Sequence, residues 1–195
     1  MVRRLAMAAV VAAAVSAGCD TASGPAPQFV VSGPVQNNTQ AAIPAGARVV
    51  VVWGVSSTSP DYSYVFGEGS LSPDGTSFQV RFDQPPPVEA LNGAVLGVGM
   101  VVVTTNQAIG TGDDLSTIPQ SDIIGVAGQY GVIYVADPDK ATQVRGWAAE
   151  FPRGLSVGIG VSVPDSAFDK FAPESPSNVV LIIDDLANIH IVNWT

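Results

Sequence analysis

The chain has a single cysteine, Cys19, and a single histidine, His190, in 195 residues. One cysteine cannot close an internal disulfide. One histidine without thiolate partners cannot build the usual tetrahedral zinc site. Charge is scarce as well. Only 13% of residues are charged, and 8 Lys and Arg stand against 17 Asp and Glu. A surface of that sign repels nucleic acid, which is not expected as a partner. No apolar run reaches the roughly 20 residues that a membrane-spanning helix needs. Helical periodicity never persists beyond about two turns, and no strand–helix unit repeats, so α/β architectures are excluded.

Apolar residues, glycine and proline are plentiful. Hydrophobic content is 47%, which argues for a packed core over disorder. Twenty glycines and fifteen prolines punctuate the chain densely, as expected of many short strands and turns.

The N-terminus has its own pattern. Arg3 and Arg4 are followed by an uncharged run from Leu5 to Gly18. A basic start, a short apolar stretch and small residues at the end make a secretory signal. Leu5-Ala6-Met7 fits a twin-arginine export motif poorly, so the arginines read as an ordinary basic region. Ser16-Ala17-Gly18-Cys19 resembles the bacterial lipobox, with Ser16 where that motif usually has Leu. The resemblance implies a lipoprotein signal peptide over 1–18 and lipid on Cys19, which becomes the new N-terminus. It also implies a cell-envelope location, facing outside the cytoplasm. Asp20 to Gln28 is small, polar and Pro-containing, so 19–28 reads as a tether and 29–195 as a single β-rich domain. Without Arg3 and Arg4 the balance is 6 basic against 17 acidic groups, a formal charge of −11. Attachment to a membrane is therefore expected through lipid on Cys19 and not through a basic patch. Each buried methylene contributes about 0.8 kcal/mol, so several acyl chains on one residue anchor stably.

Strand signals recur from Phe29 onward. Ala47 to Val55 is a continuous β-branched run, read as a strand buried on both sides. Thr76 to Phe82 alternates, with Phe78, Val80 and Phe82 on one face. Ala94 to Thr104 is a long Val/Gly strand, in which Gly97 and Gly99 share a face and signal a bulge or a close backbone approach. Leu155 to Val163 alternates too, with Ser and Gly on its second face. One helical turn is expected at Val88 to Asn92, a turn at Asp137-Pro138-Asp139, and a short helix over Asp165 to Phe171 capped by Asp165. Asn178 to Asp184 and Asn188 to Trp194 read as a closing hairpin. The sum is an all-β fold: an antiparallel β-sandwich or an open barrel with short helical turns.

Between Val31 and Phe82 the chain reads SGPV, GARVVVVWG and YVFGEGSLSPDGTSFQVRF. This resembles the prealbumin-like and carboxypeptidase-regulatory-like β-sandwich modules of exported bacterial proteins, with Ser56 to Ser70 as an insertion. The resemblance implies a binding or structural module and supplies no catalytic residue.

Four groups of residues are candidates to carry chemistry. Gly154-Leu155-Ser156-Val157-Gly158 fits G-x-S-x-G, with Asp184, Asp185 and His190 downstream. That motif needs a sharp strand-to-helix turn at Ser, whereas here the strand pattern continues to Val163, so Ser156 is read as an ordinary strand residue. His190 is read as a strand residue on the opposite face from Ile189 and Ile191. Asp113 and Asp114 lie in a long loop from Asn106 to Asp122; calcium, which takes six to eight oxygens, is the metal such a loop suits. Asp137 and Asp139 and the pair Asp184-Asp185 are further acidic turns. Trp53, Tyr62 and Tyr64 are the candidate ligand-binding aromatics, for an envelope protein or polymer. The leading expectation is a non-catalytic binding or structural module with no cofactor. The alternatives are an envelope-polymer hydrolase using carboxylate catalysis and a calcium-stabilised adhesin.

Overall fold

The computed structural model describes residues 29–54, 63–113, 119–163 and 169–192. The signal segment, Cys19, the tether, Tyr62, Asp114 and Trp194 lie outside them.

The protein is all-β. Among the described residues ten strands follow in order: β1 (Phe29–Asn37), β2 (Arg48–Gly54), β3 (Ser63–Leu71), β4 (Ser77–Phe82), β5 (Leu96–Thr104), β6 (Ile123–Val126), β7 (Tyr130–Val135), β8 (Gly154–Val161), β9 (Lys170–Glu174) and β10 (Leu181–Ile183). An α-helix, α1 (Pro138–Val144), and several 3-10 turns sit between them. Among the described residues, no helix is long and apolar enough to cross a membrane.

Hydrogen bonding links the strands in the order β2-β3-β4-β1-β10-β6-β5, and β5 pairs back onto β2, so seven strands close a ring. From β5 the sheet also continues through β7, β8 and β9, outside that ring. β5 makes both connections. One edge runs along β2 from Arg48↔Thr104 to Gly54↔Val98. Its other edge is divided: Leu96 to Gly99 pair with β7, and Val102 to Thr104 with β6. The fork lies at Met100 and Val101, where Ala127 N–H donates to Val101 O at 2.9 Å. Every pairing is antiparallel except β1 with β10, which run parallel with Val35 opposite Leu181.

Patterning explains which faces are buried. The valines of β2 are stiff at χ1 and favour extended backbone. Val49, Val51 and Trp53 enter the central core with Phe78, Val80 and Phe82, while Val50 and Val52 join a cluster on the opposite face with Val102, Val126 and Ile189. β2 is thus buried on both sides, as its sequence predicts. β4 alternates residue by residue between exposed and buried. A third cluster, around Leu96, Ile133, Phe151 and Phe171, lies where α1 and the 3-10 turn Gly146–Glu150 pack on the sheet extension.

Three local expectations are corrected and one is extended. Asp137-Pro138-Asp139 starts a helix and does not merely turn the chain: the Asp137 carboxylate accepts from Lys140 N–H, and Pro138 occupies the first turn. The Ser/Gly face of β8 is not bare: a Cβ on Gly158 would meet Phe171 Cβ at 2.8 Å and Phe151 Cζ at 3.0 Å. Residues 165–168 of the expected helix lie outside the described residues, but Lys170 and Phe171 are in strand β9, paired with Val161 and Gly160. No closing hairpin forms within the described residues. Leu181–Ile183 pairs with β1 and β6, a 3-10 turn occupies Leu186–Asn188, and Val192 N–H donates to Gly128 O.

Candidate functional site

Trp53 is fully buried, so it offers no face to a ligand. Its indole N–H donates to Phe66 O at 2.7 Å, and its ring meets Phe82 edge-on at 6.4 Å. Tyr64 is the cross-strand partner of Trp53 and lies half-buried at the margin of the same core. The pair is therefore brought together, with Trp53 in the interior and only Tyr64 reaching the surface. Tyr62 lies outside the described residues.

Asp113 sits in a loop held by a polar clasp. Arg48 on β2 forms an ion pair with Glu68 on β3, and its other amino group donates to Gln107 O at 3.1 Å and Ile109 O at 2.6 Å. Glu68 Oε1 accepts from the backbone N–H and the hydroxyl of Thr111, both at 3.0 Å. Ile109 is buried in the outer cluster. Val65 N–H donates to Asp113 O, and Gly112 N–H to Val65 O, so the loop covers part of the β3 edge. The Asp113 carboxylate accepts from Gly110 N–H at 2.7 Å. No group of three or more potential metal-ligating side chains occurs among the described residues.

The other acidic turns use their carboxylates in the same local way. Asp184 accepts from Asn188 and Asn38 side chains at 3.0 Å each and from Asp185 N–H at 2.7 Å. These amide donors, Asn188 first and Asn38 next, hold its pKa below the ordinary aspartate value. Asp74 is lowered mainly by the Ser72 hydroxyl, then by Thr76. Asp137 is lowered mainly by the Lys140 ammonium at 3.2 Å. Ser156 lies mid-strand opposite Ile133, with no turn at that position, and His190 is exposed. The G-x-S-x-G sequence therefore forms a straight strand, without the geometry that activates a serine.

The described surface also holds one apolar cleft over the β5 fork, about 160 Å³ in volume. Val52, Val98, Met100, Tyr130, Phe171 and Ile191 line it. It lies between the two groups that cover the outer faces of the sheet: Phe171 belongs to one cluster, and Val52 and Met100 to the other. A dry apolar cavity of about 150 Å³ accommodates benzene, so this one suits a single small ring or a short alkyl group. Such a lining can bind, and the Tyr130 hydroxyl is the one side-chain oxygen it carries. Val98 and Met100 are both on β5, but the others come from β2, β7, β9 and the C-terminal segment, far apart in sequence, so no motif announces them. Comparison of the chain with family models, curated proteins and solved structures finds no match in any of the three.

Proposed function

We propose that this chain is a lipid-anchored protein of a bacterial envelope, attached to a membrane through lipid on Cys19. Its β domain then acts outside the cytoplasm as a non-catalytic binding or structural module. The observation that carries this reading is the first nineteen residues: Arg3-Arg4, an uncharged run, and Ser16-Ala17-Gly18 before the one cysteine. We read the seven-strand ring as a closed barrel, not as two stacked sheets. Its support is that every strand of the ring has a hydrogen-bonded neighbour on each side.

Three of the carboxylates are poorly suited to serve as a hydrolase's acid. A two-carboxylate glycosidase needs one acid with a raised pKa. Asp74, Asp137 and Asp184 all shift downward, and each is engaged by neighbouring donors. The apolar lining of the β5 cleft fits binding of a small apolar group.

Radiolabelled palmitate feeding and cell fractionation test the anchor. The natural chain should carry label and sediment with membranes, and Cys19→Ser should lose both properties. A Cys19→Ser protein that stays membrane-bound refutes the reading.

A further inference from the structure

We propose that the end of the domain where β1 begins is a second membrane contact, resting on the bilayer interface beside the lipid anchor. This inference rests on lipidation at Cys19. Ten peptide steps separate Cys19 from Phe29, and a chain of that length spans at most about 35 Å. The start of β1 is therefore confined near the bilayer whatever path those residues take. Confinement of this kind gives an effective concentration of order millimolar, so a contact too weak to recruit a free protein becomes populated.

The surface at that end suits an interface. Phe29, Pro85, Tyr134 and Leu155 line one hollow there, about 240 Å³ in volume. Pro85 and Pro87 are exposed, and Val88, which follows them, is 62% exposed. No other large apolar side chain among the described residues is as open to solvent. Proline and valine carry no charged group to desolvate, and Phe29 and Tyr134 are half-buried rings of the kind found at headgroup depth. The charges around this end are mixed. Asp83 and Glu89 flank the prolines, Asp137 pairs with Lys140, and the Arg153 guanidinium donates to Ala136 O at 2.7 Å. Asp83 and Glu89, which form no ion pair among the described residues, disfavour an anionic surface, so the partner is a zwitterionic lipid interface. The opposite end, which carries Ala42 and the Pro73-Asp74-Gly75 turn, is displaced by the length of β1, roughly 26 Å at 3.3 Å per residue.

The test uses the full lipidated protein in phosphatidylcholine vesicles that contain a spin-labelled lipid. Lipid occupies the sulfur of Cys19, so Val88→Cys and Ala42→Cys each provide one free thiol for an environment-sensitive fluorophore. Both sites are exposed and tolerate the substitution. The label at 88 should show a blue-shifted emission and lose intensity to the lipid quencher, and the label at 42 should show neither. Water-like emission from both labels on protein that floats with the vesicles refutes the docking and leaves the anchor standing. Quenching at 42 instead of 88 refutes it as well. Protein that fails to float removes the anchor, and the docking with it.

Discussion

Trp53 lies against the bare backbone of Gly99: a Cβ added at Gly99 would stand 2.9 Å from the indole Cε2 and 2.6 Å from Val51 Cγ1. Gly97 faces the other end of the same ring at 3.1 Å. The two glycines form a flat bed for the indole, and the close approach is to a side chain, not to another backbone. Gly99→Ala should therefore destabilise the fold by about 1–3 kcal/mol through overpacking. Urea unfolding of the variant checks this, and an unchanged midpoint contradicts it.

The two indoles differ in one atom's surroundings. Trp53 N–H is bonded to Phe66 O, whereas Trp147 N–H is buried with no partner among the described residues. Trp53→Phe withdraws a donor from a buried carbonyl and should cost about 2–4 kcal/mol. Trp147→Phe removes a donor that was unsatisfied, so its cost should be smaller by at least about 1 kcal/mol. Equal losses in denaturant melts of the two variants count against this account.

Ala94 has φ +60°, in the left-handed region, directly after Gly93 at φ +59°. A side chain there is strained by about 1 kcal/mol or more. Ala94→Gly should raise stability by about 0.5–1 kcal/mol after the added freedom of the unfolded chain is counted. Thermal melts read the sign directly.

The Arg48–Glu68 clasp holds the loop locally. Both side chains are partly solvated, so global stability should change little on substitution. Glu68→Gln should instead raise amide exchange at Thr111 about tenfold, as expected for losing a hydrogen bond to a charged group. Exchange in the strands of the ring should stay as it was. Uniform acceleration across the domain shows that the clasp has a different role.

Acid should destabilise the fold through Asp74, Asp137 and Asp184. All three have folded-state pKa values below the unfolded value of about 4. Their contribution is complete above that value. As pH falls, the unfolded chain takes up protons first, and the contribution disappears through the depressed folded-state values. Urea midpoints should be level from pH 7 to about 5 and decline below that. In the triple Asp→Asn variant the decline should be shallower.

How far the sequence could be read depends on the range of each signal. β2 and β4 were legible because burial on one or both faces is written into adjacent residues, Val49 to Trp53 and Ser77 to Phe82. Helix α1 has its cap signal in Asp137-Pro138, but its seven residues are too few to display a period. β8 alternates in sequence, with Ser and Gly on its second face, and nothing local shows what covers that face. Phe171, from a strand later in the chain, covers Gly158. Trp53 and Tyr64 do meet, yet nothing local indicates that the flat bed of Gly97 and Gly99 draws Trp53 inside. The β5 cleft was illegible for the same reason: it exists only where β5 changes partners.

The parallel pairing of β1 with β10 bears on how the chain matures. Asn38, just past β1, donates a hydrogen bond to Asp184, 146 residues later, just past β10. The first strand of the domain therefore waits for nearly the last before its second edge is covered. Loop closure over that distance is entropically slow, and folds dominated by such contacts form on the slower timescales. Under the export proposed above, with the N-terminus crossing first, the ring cannot be completed until β10 has emerged. Until then β1 and β6 present open edges, and this is the stage at which a chaperone has most to protect.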